Sequence, residues 1–167
     1  MSDGEIIRPG ARKDLPQIVE IYNHYVAQTH ITFDVNPVNV ADRTRWFDDF
    51  SANQRHQLWV AQNEGEISGY AHARAFRAKA AYETSVETTI YLKSGVLNRG
   101  LGSRLYQALF AALKVTGVHR AYGVIALPNE ASIALHLKFG FKPLCTFSEV
   151  GRKFNRFYDV QWFEKKF

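Results

Sequence analysis

The chain has 167 residues, 46% of them hydrophobic and 14% aromatic, enough apolar material for one packed domain and too much for a disordered chain. Its formal net charge is +5 and its pI about 9.4, but the cations are scattered, with no basic run or tail, which argues against a nucleic-acid partner. No stretch approaches the roughly 18 apolar residues of a membrane span, and "MSDGEIIRPG" lacks the apolar core of a signal peptide. A lone Cys145 excludes an internal disulfide, and no Cys/His spacing points to a metal. The expectation is a cytoplasmic protein without a metal.

No repeat, Ser/Gly linker or shift in composition divides the chain, so residues 1–167 read as a single domain. "EIIRPG" reads as a short first strand. "DLPQIVEIYNHYVAQ" follows with Leu15, Ile18, Val19, Tyr22 and Val26 at helical spacing and Asp14 as its N-cap. "NVADRTRWFDDF" predicts a second, shorter helix. "HQLWVAQN" and "EISGYAHARAF" alternate like strands and are joined at "EGE" as a hairpin. "SVETTIYL" is the clearest strand, with Val86, Thr88, Ile90 and Leu92 on one face and Ser85, Glu87, Thr89 and Tyr91 on the other.

After "VLNRGLG" a helix carries Leu101, Leu105, Ala108, Leu109, Ala112 and Leu113 on one stripe. "RAYGVIAL" is a further strand. "NEASIALHLKF" is a helix that Gly140 ends, since glycine suits the left-handed position after a helix. "KPLCTFSEVGRK" and "RFYDVQWFEK" close the chain as two strands. The order is mixed α/β, strands outnumbering helices.

Three features stand apart from this frame. The segment "VLNRGLGSRL" places two glycines before a helix N-terminus, where exposed amides suit an anion. Ser103-Arg104 follows the second glycine, which excludes a Walker A loop, and the spacing excludes a dinucleotide fingerprint. Glu87 sits in an apolar, Thr-rich strand, where a carboxylate is costly unless paired or used; an ion pair with a buried arginine is its other reading. Asn129, Ser132 and His136 form a polar stripe at i, i+3 and i+7 on an otherwise apolar helix. Upstream, "HARAFRAKAAY" interleaves Arg74, Arg77 and Lys79 with Phe76 and Tyr82, a pattern suited to a small zwitterion bearing a carboxylate.

"VETTIYLKSGVLNRGLGSRLYQALF" followed by "VIALPNEASIALHLKFGF" resembles the GNAT acetyltransferase superfamily, and within it the phosphinothricin/methionine sulfoximine N-acetyltransferase branch. "YNHYV", "FRAKAAYETSVE" and "EVGRKFNRFYDVQWFEK" extend the likeness over nearly the whole chain. The resemblance implies a GNAT fold of the α/β (α+β) class, with a mixed, mostly antiparallel central sheet, helices flanking it, and central strands splayed to admit acetyl-CoA. It assigns Leu97, Asn98, Arg99, Gly100, Leu101, Gly102 and Ser103 to the pyrophosphate, with Arg99 or Arg104 as a nearby charge. Leu97 stands where the family usually has Gln or Arg, which removes one side-chain contact. Backbone groups of Ile90, Tyr91 and Leu92 meet the pantetheine arm, and Asn129 caps its helix, bonds the pantetheine, or both.

The implied reaction is direct attack of an amine on the thioester. Glu87 is the general base, alone or through a water. His136, in the place of the family's tyrosine, is an acid or a second base; Tyr106 is a second candidate to return a proton to the CoA thiolate, or packs within its helix. Arg74, Phe76, Arg77, Lys79 and Tyr82 are the substrate residues, and Phe33 either closes the pocket or packs in the core. The substrate class implied is a small amino-acid analogue with a tetrahedral oxyanion, such as phosphinothricin, methionine sulfoximine or methionine sulfone. A homodimer joined by the C-terminal strands is also implied. The alternatives are another amine (polyamine, aminoglycoside or peptide N-terminus) or a non-catalytic CoA-binding module.

Overall fold

The computed structural model describes residues 4–51, 53–96 and 100–167. Strand β1 (Ile6–Pro9) leads through a 3-10 turn (Arg12–Asp14) into α1 (Leu15–Gln28), then α2 (Val40–Phe47). The hairpin β2 (Gln57–Asn63) and β3 (Glu66–Ala75) turns on Glu64 and Gly65, both at positive φ (49° and 88°), the geometry of a tight two-residue turn. A second 3-10 turn (Ala80–Tyr82) precedes β4 (Ser85–Leu92), α3 (Leu101–Leu113), β5 (Arg120–Ala126) and α4 (Glu130–Lys138). The hairpin β6 (Lys142–Lys153) and β7 (Arg156–Lys166) completes the chain.

The strands form one seven-stranded sheet in the order β1-β2-β3-β4-β5-β7-β6. Every neighbouring pair is antiparallel except β4 and β5, which run parallel. That pair is short: Ser85, Val86 and Glu87 lie opposite Arg120, Ala121 and Tyr122, and the ladder stops there while both strands continue. The expected splay of the central strands is therefore present, and it begins at Glu87.

Each face of the sheet is covered because alternation sends one set of side chains to each side. On one face, α3 buries Leu101, Leu105, Tyr106, Leu109, Phe110 and Leu113, all 4% exposed or less, against Ala61, Ala71, Ala73, Val86 and Ala121. Small strand residues let this helix approach closely, and each large side chain so buried contributes about 1.5–3 kcal/mol. On the other face, Ile18 and Ile21 of α1 pack on Leu58, Val60, Ile67 and Tyr70, with Trp46 and Phe47 of α2 at the margin. Glu87 faces this second layer, sharing its ladder position with Arg74.

Asp14 departs from its expected role. Its backbone is already helical (φ −81°, ψ −13°), because the 3-10 turn runs straight into α1, and its side chain caps nothing in α1. The carboxylate turns back instead, accepting two hydrogen bonds from Arg8 (2.7 and 2.8 Å) and one from the Ala11 amide (2.8 Å). Burial alone would raise its pKa, but these bonds outweigh it and hold the carboxyl below its ordinary range.

Candidate active site

Where β4 and β5 part, a cavity of about 550 Å³ opens, lined by Thr88 to Leu92 on one side and Val124 to Ala126 on the other. Gly100, Gly102 and Ser103 at the start of α3 form part of its wall, as do Asn129, Ser132 and His136 of α4. The glycine stretch and the α4 polar stripe that stood apart in the sequence thus line one cleft.

Alternation decides which backbone groups face it. Lys93 donates to Ser68 and Ser85 accepts from Phe76, so odd-numbered residues of β4 turn their amides and carbonyls to β3. Ile90 and Leu92 present theirs to the cleft; Tyr91 does not, and contributes its ring. The Leu92 carbonyl already accepts a hydrogen bond from the Tyr25 hydroxyl (2.7 Å). Tyr25 and Ile31, neither expected from the sequence, close this end of the cavity.

The α3 N-terminus is set by Gly100, whose φ of +85° only glycine adopts without strain. A Cβ on Gly102 would lie 3.4 Å from Leu135 and 3.6 Å from Ile90, so this stretch passes both walls at van der Waals contact. Ser103 accepts a hydrogen bond from Lys138 (2.8 Å), which brings a cation to the α3 end of the cleft. Arg104 is committed elsewhere, donating to the Glu5 carbonyl at 2.6 Å and lying 3.7 Å from its carboxylate. Leu97, Asn98 and Arg99 lie outside the described residues. Asn129 caps α4, accepting from the Ser132 amide (3.2 Å), and lines the cavity as well.

His136 is 3% exposed, not a surface histidine. Its Nδ1–H donates to the Ser132 carbonyl (2.8 Å), and Nε2 faces the Tyr106 hydroxyl at 3.2 Å. Desolvation lowers its pKa despite the Ser132 bond, so the ring is neutral near pH 7. The glycine at 123 is required here: a Cβ would fall 2.5 Å from His136 Cδ2 and Nε2. Tyr106 does more than pack within α3. It is wholly buried, lines the cleft, and interacts through its hydroxyl with Thr88. The signal for it was Gly102, one helical turn earlier on the same face.

Glu87 lies just before the cleft begins, half-buried on the opposite face of the sheet. Burial raises its pKa, opposed by Arg77 and Arg74. The ion-pair reading of Glu87 fails, because among the described residues no cation lies within 4.0 Å of it: Arg74, opposite it in the ladder, is drawn to Asp49 (2.5 Å). The expected substrate residues cluster at this end. Phe76 stacks on Tyr122 (4.4 Å), Arg77 lies over Phe76 (4.2 Å) and Trp162 (5.6 Å), and Tyr82 meets Phe76 edge-on (5.8 Å). Lys79 is exposed beside them. Phe33 packs instead against Gly151 of β6, where a Cβ would lie 2.2 Å from its ring.

Comparison with known proteins agrees with this geometry. Residues 7–162 match the acetyltransferase (GNAT) domain family. The chain is 48% identical to a phosphinothricin N-acetyltransferase of Streptomyces coelicolor, over 95% of this chain and 94% of that protein. It is 35% identical to an L-methionine sulfoximine/L-methionine sulfone acetyltransferase of Pseudomonas aeruginosa, over 95% and 92% of the two chains. Among solved structures, a phosphinothricin acetyltransferase of the GNAT superfamily from Sinorhizobium meliloti, in complex with AcCoA, superposes with a TM-score of 0.91 at 30% identity, covering 98% of this chain and 88% of that one.

Proposed function

The chain belongs to the GNAT acetyltransferase family, and on that premise we propose that it acetylates the amine of a small amino-acid analogue of the phosphinothricin or methionine sulfoximine/sulfone type, using acetyl-CoA. The observation that carries the reading is the opening of the β4–β5 ladder directly after Glu87, so that a half-buried carboxylate lies beside the start of a cleft lined by strand backbone.

Acetyl-CoA supplies the acetyl group as an activated thioester. The residues present fit it: Ile90 and Leu92 offer backbone groups to an amide-rich arm, and the amides of Gly100 to Ser103, with Lys138, suit its phosphates. A backbone N–H of β4 stabilises the carbonyl oxygen as it gains charge. Glu87 takes the proton that an ammonium must lose before it can attack, directly or through a water, and its raised pKa suits a base working near neutrality. Arg74, Phe76, Arg77, Lys79 and Tyr82 hold the carboxylate and oxyanion of the substrate; Phe33 acts only indirectly, by packing.

The protein works as a homodimer. Leu144, Phe147 and Val150 on edge strand β6 are 49%, 50% and 60% exposed, an apolar edge that a second copy would cover. Light scattering tests this: a monomer at micromolar concentration removes the dimer and leaves the enzyme.

The activity is tested by following thiol release from acetyl-CoA with methionine sulfoximine, methionine sulfone, phosphinothricin, spermidine, an aminoglycoside and a short peptide. Turnover confined to the first three is expected. Turnover only with polyamine or peptide sinks the substrate class and keeps the fold, while acetyl-CoA binding with no turnover favours a non-catalytic module.

A further inference from the structure

We infer that Tyr106 is the residue through which His136 acts on the reaction: the phenolic hydroxyl, and not a ring nitrogen, meets the reacting end of the cleft. This rests on the proposed acetyl transfer. His136 is then a positioning residue.

Both nitrogens of His136 are already occupied. Because Nδ1 carries the proton donated to the Ser132 carbonyl, Nε2 is bare and accepts from Tyr106 Oη. The ring cannot swing to free either one. Gly123 lies against its Cδ2–Nε2 edge, with Phe141 edge-on at a centroid distance of 4.9 Å and Phe163 at 5.9 Å. Tyr106 Oη, by contrast, lies between His136 and Thr88, and all three residues line the cavity where β4 and β5 first part.

Burial holds Tyr106 protonated and His136 neutral, so the pair is an uncharged donor rather than an acid. In the transfer the N–C bond forms and the C–S bond breaks, the sulfur keeping the electron pair. One proton of the amine passes to Glu87 and a second, directly or over water, to the sulfur. Tyr106 loses no proton: its O–H, held at the cleft by Nε2, is shared with the sulfur as charge develops there.

The test compares Tyr106→Phe, His136→Gln and His136→Leu, reading kcat and KM separately after calorimetry has confirmed that each variant binds CoA. Tyr106→Phe should lower kcat tenfold to a hundredfold, roughly the worth of one hydrogen bond to a charged atom, with KM unchanged. His136→Gln, whose amide oxygen can still accept from Tyr106, should retain more kcat than His136→Leu. The double variant Tyr106→Phe/His136→Leu should cost little more than either change alone. Wild-type kcat in Tyr106→Phe, or His136→Gln as slow as His136→Leu, overturns the inference. A second readout needs no turnover. The ¹⁵N resonances of His136 should report a protonated Nδ1 and a bare Nε2, the latter shifting in Tyr106→Phe. A ring protonated at Nε2 overturns the pair. If no amine is acetylated, the proposed activity fails on its own and the ring resonances still decide this point.

Discussion

The wall of the cleft formed by α3 and α4 and the wall formed by α1 and the segment after it are built from different materials. The first uses backbone amides, glycines and a helix cap, drawn from two continuous stretches of chain: Gly100 to Ser103 and Asn129 to His136. The second uses long side chains from segments far apart in sequence. Residues 29–38 cross it as a strap. His30 bonds the Pro128 carbonyl (2.9 Å) and stacks on Tyr158 (4.7 Å), and buried Lys153 donates to the Thr32 carbonyl (2.8 Å). Outside the cavity lining, Phe76 stacks on Tyr122 and meets Trp162 edge-on. Backbone recognition depends little on side-chain identity, since amides persist whatever the side chain. Recognition by side chains does depend on it, so under the proposed activity substrate choice is expected on the strap side.

Four experiments test that contrast. The largest effect is expected beside the start of the cleft: Glu87→Gln should lower kcat/KM by about 10²–10⁴-fold, leaving acetyl-CoA affinity by calorimetry intact. Since burial raises the Glu87 pKa and only the ionised form is a base, wild-type kcat/KM should climb with pH through a value above the ordinary carboxylate range. The variant should lose that limb; a retained limb assigns the base elsewhere.

On the helical wall, Gly123→Ala forces a methyl to within 2.5 Å of the His136 ring. Overpacking of this kind costs about 1–3 kcal/mol, so Tm should fall by roughly 2–4 °C per kcal/mol for a chain of this size. The fall in activity should lie in kcat, and an unshifted Tm would show that the ring moves freely.

On the strap wall, Gly151→Ala pushes on Phe33 from 2.2 Å. The amine KM should rise severalfold while acetyl-CoA binding is unchanged; a change confined to acetyl-CoA would reverse the assignment of the two walls. The smallest effect is expected at Lys138→Ala. Its bond to Ser103 is exposed, so the acetyl-CoA KM should rise by only about twofold to fivefold, more at low salt than at high.

The local frame was legible from the chain alone because it rests on short-range rules. Alternation in "SVETTIYL", the apolar stripe of α3 and Gly140 after α4 all have local causes, and the paired motifs around Glu87 and His136 carried the family. The role of Asp14 lies outside local pattern, because its partners, Arg8 and Ala11, reach it through a turn that propensity does not reveal. Tyr106 was underrated because an aromatic on a helix stripe is usually core, and nothing in the sequence places His136 against it across 30 positions.

What the sequence determined by itself was therefore the order of elements, the loop that opens α3 and the residue types able to do the chemistry, since each depends on neighbours within a few positions. Only the tertiary structure decided that Glu87 stands at the divergence of β4 and β5, and that the backbone groups of Ile90 and Leu92 rather than those of Tyr91 face the cleft. It alone decided that Phe33 serves the strap, and that both nitrogens of His136 are already engaged. Those outcomes turn on strand register and on side chains meeting from distant segments, which no local pattern encodes.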